Sequence, residues 1–547
     1  LKGTAKNFRV AILENKVEKV LNDLTEVRNV ITRMPSILAT GDQLRGFRVN
    51  ESGNNMSAMS PMLSPMRKMR QSNLSKRSLS DAQRVETYIK KAEERAMTLK
   101  ELRDVRRVIN DQCVVDTWVD IISGEDLVPK SVTLHAFNYY HMSPQTAVRH
   151  CELSGLRCVS VSKGQMVTQH NPHYKCPMAE GEVLHASANG LIQVKLLRGR
   201  FTDRNFEPDA FISIAGNNVG VPTGVTSPDS VSFKELVSDT PTPPKWYTCH
   251  WWGEPVLDFV LCCEKHSLLR QLPPDMSSYW ICGYANRQHA LSLELGVPDL
   301  KDTSFYKAMQ LADGVLLILD SKATPFTRLW CSFELYKTIT TEKLLDVATI
   351  TSEPQGHGVE AKLLVEGLLP GEPQRAKMVR QRSFPYSLVV AGISGALEDG
   401  RAYFKPDEEK VLSFIARDGP PDLVYKARLT FALQRANTSL DAYLVLAVWP
   451  FLLQSGLVRE CAPGHKATMI DIVRADTERT KLDINLSHFE EVDNADLEDV
   501  ANSLPPHLVE LTMSFGGCLG LTNAGLEGLQ GMLSDSLQKL HISFMGC

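Results

Sequence analysis

The chain has 547 residues, with 60 basic and 64 acidic side chains and a formal net charge of −4. Its hydrophobic share of 43% and charged share of 23% are ordinary for a globular chain that buries a core. The length predicts about three or four domains. The near balance of charge argues against a nucleic-acid-binding protein, which would carry a strongly basic domain.

The apolar and cysteine patterns bear on membrane insertion and location. No run of about 18 uncharged apolar residues is present, so no membrane span is expected. The longest apolar stretch, residues 442–453, contains Pro450 and is interpreted as a buried helix. The 12 scattered cysteines predict reduced thiols and an intracellular, cytoplasmic location. Because residue 1 is Leu and no signal-peptide pattern follows, we expect a fragment whose targeting sequence, if any, lies outside it.

Residues 1–113 are predicted to form long, coiled-coil-like helices with a disordered linker at 35–80. Residues 52–80 are rich in Ser, Met and Pro and contain no acidic residue, which is typical of a flexible linker. A second helix is predicted over residues 82–110. The two helices either form a coiled coil or pack on the protein's own core. The heptad seam of the first helix consists of Val10, Leu13, Val17, Val20, Leu24, Val27, Ile31 and Met34.

Residues 114–240 are predicted to be a mixed α/β region. Short apolar runs at 191–197 and 210–215, separated by turn residues, are typical of strands. His170, His173 and Cys176 supply imidazole and thiolate groups, which are zinc ligands. Their spacing matches no common zinc pattern, so they are weak candidates for a metal site.

Residues 245–400 alternate between apolar strands and amphipathic helices. Residues 315–319 form an unbroken apolar run, as found in parallel strands that are buried on both faces. Strands alternating with helices predict a doubly wound α/β domain with a parallel sheet. Ligands of such sheets bind beyond the carboxyl ends of the strands.

Two motifs in this segment resemble the Toll/interleukin-1 receptor (TIR) family. Residues 251–255 read WWGEP at the turn after the first strand, where the family commonly has FRGED. Residues 319–335 read LDSKATPFTRLWCSFEL, and the WCxxEL core is similar to the family's third-strand loop and helix. The segment is also similar to TIR-like modules of large multi-domain proteins from protists. The resemblance covers roughly residues 246–399 and implies a protein-assembly module.

A subset of TIR domains cleaves the nicotinamide–ribose bond of NAD, and the resemblance implies Glu334 as the catalytic carboxylate. Such a carboxylate stabilises the positive charge that develops on the ribose. NAD is then a substrate, and no resident cofactor is expected. In the alternative, Trp330 fills the core and Glu334 pairs with Lys337. The candidate residues for binding NAD are Trp252, Gly253, Glu254 and Trp330.

After a helical connector at 401–480, residues 481–547 repeat with a period of 29. Leu482, Leu511 and Leu540 align, and the flanking apolar positions align with them. The pattern resembles leucine-rich repeats of the cysteine-containing type, which implies a solenoid whose units cover one another's apolar flanks. Since the pattern runs to residue 547 without a polar cap, we expect the repeats to be truncated there.

Together these patterns predict a multi-domain α+β and α/β protein that acts as a signalling scaffold. It would bind other proteins through its helices, TIR-like domain and repeats, and would form a homo-oligomer. The first alternative is an NAD glycohydrolase that uses Glu334. The second is a structural subunit of a large complex. The motif GxxxxGK[ST] is absent from the sequence, so an ATP-driven switch is not expected.

Overall fold

The computed structural model describes residues 89–120, 125–142, 145–146, 231–274, 276–288, 291–352, 358–401, 405–461, 466–530 and 532–546, and the backbone of four strands between residues 166 and 214. The strands are β1 (Met97–Thr98), β2 (Met166–Gln169), β3 (Ala179–Ala186), β4 (Ile192–Gly199), β5 (Ser213–Ile214), β6 (Trp246–Cys249), β7 (Ser278–Trp280), β8 (Gly314–Leu319), β9 (Leu344–Ser352), β10 (Val359–Leu364), β11 (Lys481–Asn485), β12 (Glu510–Ser514) and β13 (Lys539–Ser543).

The helices are α1 (Leu99–Gln112), α2 (Leu134–Phe137), α3 (Phe233–Val237), α4 (Val256–Leu269), α5 (Cys282–Ala285), α6 (Leu291–Glu294), α7 (Ser304–Leu311), α8 (Leu329–Thr340), α9 (Gln374–Ser383), α10 (Tyr386–Ile393), α11 (Lys405–Ile415), α12 (Tyr425–Ala447), α13 (Trp449–Ser455), α14 (Met469–Arg474), α15 (Asn494–Ser503) and α16 (Asn523–Gln530). The predicted heptad helix and the predicted linker lie outside the described residues.

The helix predicted over residues 82–110 begins instead at Leu99 in the described part of the chain. Thr98 Oγ1 accepts the Glu101 N–H at 3.2 Å, and the Glu101 carboxylate accepts the Thr98 N–H at 2.8 Å. This reciprocal capping box satisfies backbone donors that the first turn would otherwise leave unpaired. The preceding residues are extended, because β1 pairs antiparallel with β7.

Six strands form the central sheet in the order β1-β7-β6-β8-β9-β10. The inner strands β7, β6, β8 and β9 are parallel, and β1 and β10 are antiparallel edge strands. All six residues of β8 are buried, as expected for a strand covered on both faces. The predicted α/β class with a largely parallel sheet is therefore confirmed.

Helices cover both faces of this sheet. Val315, Leu317 and Leu319 of β8 lie in one hydrophobic core together with residues of α7 and α8. Leu316 and Ile318 lie in a second core with residues of α1 and α4, because successive side chains of a strand alternate between faces. Residues from 97–142 and Phe233 belong to this second core. These residues and the central sheet therefore share one hydrophobic core.

The longest apolar stretch divides between α12 and α13. Residues 442–450 are all buried, which confirms the interpretation of a buried helical segment. The Tyr443 hydroxyl donates a hydrogen bond to the Leu345 carbonyl of β9, so α12 is fixed to the central sheet. Among the described residues, no single helix has the length and apolar composition to cross a membrane, and α12 with α13 reaches them only across a 66° bend.

The strands β11, β12 and β13 form a separate parallel sheet in sequence order. Leu482, Leu511 and Leu540 lie opposite one another, so the pairing register equals the 29-residue period. Helices α15 and α16 follow β11 and β12 and contact each other. Leu482 and Leu511 are buried, whereas Leu540 on the last strand is 46% exposed.

The four backbone strands between residues 166 and 214 form an antiparallel sheet in the order β4-β3-β2-β5. Strands were predicted at 191–197 and 210–215, and β4 and β5 lie at these places. The predicted metal ligands His170, His173 and Cys176 lie outside the described residues.

Candidate functional site

The order of the parallel strands reverses between β6 and β8, whose carboxyl ends lie side by side. The chain passes from β6 to β7 on one side, and then crosses to β8 on the other side. In open α/β sheets, ligands bind where the strand order reverses in this way. The residues that follow β6, the loop after β8 and the first turns of α8 therefore surround the candidate site.

Glu334 of α8 reaches β6 rather than solvent. The Tyr247 hydroxyl donates a hydrogen bond to Glu334 Oε1 at 2.5 Å, and Glu334 is only 4% exposed. Burial raises the pKa of Glu334 to about 7, against hydrogen bonds from Cys249 and Tyr247 and the charge of Arg328. Burial therefore favours the neutral, protonated form of this carboxyl. Lys337, the alternative partner, pairs instead with Asp418 at 3.3 Å.

Two cysteines lie beside the Glu334 carboxyl. Cys249 ends β6 and Cys331 lies in the first turn of α8, and both are buried. The Cys249 thiol donates to the Cys331 carbonyl at 3.9 Å, and the Cys331 thiol donates to the His250 carbonyl at 3.6 Å. The two sulfur atoms and a Glu334 carboxylate oxygen all lie within 4.8 Å of one another. Burial is the main reason that the pKa of Cys249 is raised well above its usual value.

His250 and Glu254 form a second buried polar pair after β6. His250 Nδ1 lies 3.4 Å from Glu254 Oε1 without hydrogen-bond geometry, and neither atom has a partner among the described residues. Burial raises the pKa of Glu254 well above its usual value, and the carboxylates of Asp320 and Asp258 raise it further. The pair borders a cavity of about 10 Å³, which has room for one water molecule.

The other predicted NAD-binding residues have packing contacts of their own. The Trp252 ring lies 5.5 Å from the His135 ring, and its N–H donates to Cys282 Sγ at 3.1 Å. Gly253 lies so close to the Trp251 ring that a Cβ atom would be 2.2 Å from it. The Trp330 ring stacks on Phe305 at 5.1 Å. Trp252 packs against the core on the α1 and α4 side of the sheet, and Trp330 packs against the core on the α7 and α8 side.

A further buried network lies at the amino ends of the parallel strands. Asp346 of β9 is fully buried and accepts hydrogen bonds from His266 Nε2 at 3.1 Å and from Arg270 Nε and Nη2 at 2.8 and 2.5 Å. Burial raises the pKa of Asp346, but the bonds and charges of His266 and Arg270 outweigh it and hold the pKa below its usual value. The network joins α4 to β9 on the face of the sheet opposite to Glu334.

The sequence pattern missed the residues that surround Glu334. Tyr247 and Cys249 are two positions apart on β6, so both side chains point to the α8 side of the sheet. This alternation of side chains along β6 is the sequence feature from which the neighbours of Glu334 could have been predicted. Comparison with protein-family models, with curated proteins and with solved structures gave no match to this chain.

Proposed function

We propose that this chain is a signalling-scaffold protein that binds other proteins, with the surface of its C-terminal sheet as the main contact. The observation that carries the proposal is the in-register pairing of β11, β12 and β13 at a 29-residue period. We interpret these strands and their helices as leucine-rich repeats of the cysteine-containing type. In such solenoids the strand face is the usual binding surface.

The exposed face of this sheet has the chemistry of a protein-binding surface. Alternate strand residues are buried, and those between them point outward. Glu510 lies 3.9 Å from Lys481 and 3.6 Å from Lys539, so charges of both signs run across the strands. The outward positions are Lys481, Asp483, Asn485, Glu510, Thr512, Ser514, Lys539, His541 and Ser543.

The α/β unit is proposed to be a TIR-like assembly module. Two features support this: the strand order β7-β6-β8-β9 with helices on both faces, and the WCxxEL residues lying on α8. Coiled-coil contacts by the heptad seam at residues 10–34, which lies outside the described residues, and formation of a homo-oligomer belong to the same proposal, whereas α1 packs on the protein's own core. Because the conspicuous side chains of the motif are engaged in packing, assembly fits the geometry better than catalysis.

The experiment for the scaffold proposal begins with a photo-crosslinking amino acid at Thr512 in the full chain, which captures a partner for purification. Binding of the purified partner is then measured by calorimetry. Thr512→Arg is expected to weaken binding at least about tenfold, because it places a bulky charge in the centre of the face. Gln530→Arg on α16 adds the same charge to the helical side and should leave the affinity unchanged. Equal binding by both variants refutes the proposal.

NAD cleavage is the alternative, and one observation favours it. Glu334 lies where the strand order reverses, and its pKa of about 7 is close to that of many catalytic carboxyls. Purified full chain, concentrated enough to assemble, is incubated with NAD, and nicotinamide release is measured. Turnover that disappears in Glu334→Gln establishes the enzyme. Absence of turnover in both proteins leaves the scaffold, or a structural subunit of a large complex.

A further inference from the structure

We propose that Cys249, Cys331 and Glu334 form a zinc site that links the end of β6 to the start of α8. The ligand atoms of these residues lie within 4.8 Å of one another. In a tetrahedral site, Zn–S distances of about 2.3 Å and Zn–O distances of about 2.0–2.2 Å place ligand atoms about 3.5–3.8 Å apart. Shifts of about 1 Å or less in three side chains therefore close the site around the ion.

The ligand set selects zinc among the common metal ions. Calcium and magnesium take oxygen ligands only, which excludes a site with two sulfur atoms. Copper(I) favours sulfur and does not need the carboxylate. Two thiolates and one carboxylate form a combination that zinc binds readily, with the fourth tetrahedral position taken by a water molecule or a backbone carbonyl. The His250 carbonyl, already a partner of Cys331, lies at the correct end of β6.

The surroundings hold the carboxylate in place for a metal ion. Tyr247 donates to one oxygen of Glu334 at 2.5 Å, which leaves the other oxygen for the ion. The Tyr247 ring stacks on Trp280 with 5.2 Å between ring centroids, so its hydroxyl is fixed. Hydrogen bonds of this kind orient metal ligands and raise their affinity.

The proton balance of binding is simple. The ion replaces the thiol protons of Cys249 and Cys331, and also the carboxyl proton of Glu334 in molecules where it is present, and these protons leave to the solvent. The hydrogen bonds from the two thiols to backbone carbonyls, which are lost, are long, at 3.9 and 3.6 Å. The ion places a positive charge directly beside this buried group of acids.

The inference is independent of the proposed scaffold function and competes with NAD cleavage. A zinc ligand is held by the ion and is no longer free to stabilise a ribosyl cation. The site instead joins a strand end to the helix that carries the TIR-like motif. Its loss would loosen α8 without touching the exposed face of the C-terminal sheet.

The test uses the full chain after reduction and treatment with a chelator. Zinc is titrated in competition with a chromophoric chelator, and Co²⁺ is added in a parallel sample. We expect one zinc equivalent with an affinity far tighter than micromolar, and a thiolate-to-cobalt absorption band in the near ultraviolet. Cys249→Ser and Cys331→Ser should each abolish that equivalent. Tyr247→Phe should weaken zinc binding about 10–100-fold, because it removes only the bond that orients Glu334.

Two control variants make the outcome specific. Cys262→Ser changes a buried thiol of α4 in the other hydrophobic core and should leave zinc binding unchanged. Cys176→Ser removes the thiol of the other candidate metal site, which the sequence placed at His170, His173 and Cys176. Zinc binding that is absent, or that is lost in Cys176→Ser and kept in Cys249→Ser, overturns the inference. Circular dichroism identifies a variant that does not fold, and Tyr247→Phe then decides the result.

Discussion

Replacement of Asp346 by Asn should destabilise the protein by about 3 kcal/mol. The substitution keeps the shape of the side chain but removes the charge that pairs with Arg270. Removing one partner of a buried ion pair costs about 3–5 kcal/mol, because the other charge stays desolvated. The Arg270 side chain is 13% exposed, so its charge stays partly solvated, and the guanidinium lies 5.2 Å from the Trp246 ring. We therefore expect the lower end of that range.

Urea unfolding at pH 7, followed by tryptophan fluorescence, measures the lost stability. The urea concentration at the midpoint should fall, and the dependence of the free energy of unfolding on urea concentration should stay the same. Asp313→Asn is the matched control, since its 3.0 Å pair with Lys245 is half exposed on both sides and should be worth less than about 1 kcal/mol. The depressed pKa of Asp346 contributes stability above the usual value of 3.8, and this is lost as the pH falls below it. The gap between wild type and Asp346→Asn should therefore narrow toward pH 3. The reasoning is refuted if Asp346→Asn loses no more stability than Asp313→Asn, or if its stability difference from wild type does not change with pH.

Three further outcomes are expected. In metal-free protein the raised pKa of Glu334 means that this group ionises first in the unfolded chain, so its contribution to stability should fall by about 3 kcal/mol between pH 4.5 and 7, and Glu334→Gln should lessen the fall measured by pH-dependent urea unfolding by about that amount. Leu511→Ala, at a position 1% exposed, should cost about 2–5 kcal/mol, whereas Leu540→Ala, at 46% exposure, should cost less than about 1 kcal/mol in the same assay. A Cβ at Gly314 would lie 2.5 Å from a tryptophan ring, so overpacking in Gly314→Ala should reduce the free energy of unfolding by about 1–3 kcal/mol and lower the melting temperature. Gly367 has open space around it, so Gly367→Ala should leave the melting temperature unchanged.

The central sheet could be predicted because its strands and helices are marked by patterns in short stretches of the sequence. The unbroken apolar run at 315–319 requires cover on both faces, and amphipathic helices before and after it supply that cover. The edge strand β1 could not be predicted, because two residues contain no alternation. The start of α1 also depends on context, since extended pairing with β7 competes with helix formation before Thr98.

The candidate site was predictable only in outline. The sequence shows that Glu334 lies on a helix after the third parallel strand, and it shows that Tyr247 and Cys249 share a face of β6. It does not show that these faces meet, because that depends on the register with which α8 packs on the sheet. The buried pair of His266 and Asp346 likewise joins residues 80 positions apart.

The shared core of the sheet, the helices and the repeated units has a mechanical consequence. Leu345 of β9, Leu444 of α12 and Leu482 of β11 belong to one continuous cluster of buried side chains. Parts that share one core move as a rigid body, whereas domains joined by a flexible linker move independently. A protein bound to the C-terminal strands and another bound to the central sheet would therefore be held at a fixed distance and angle.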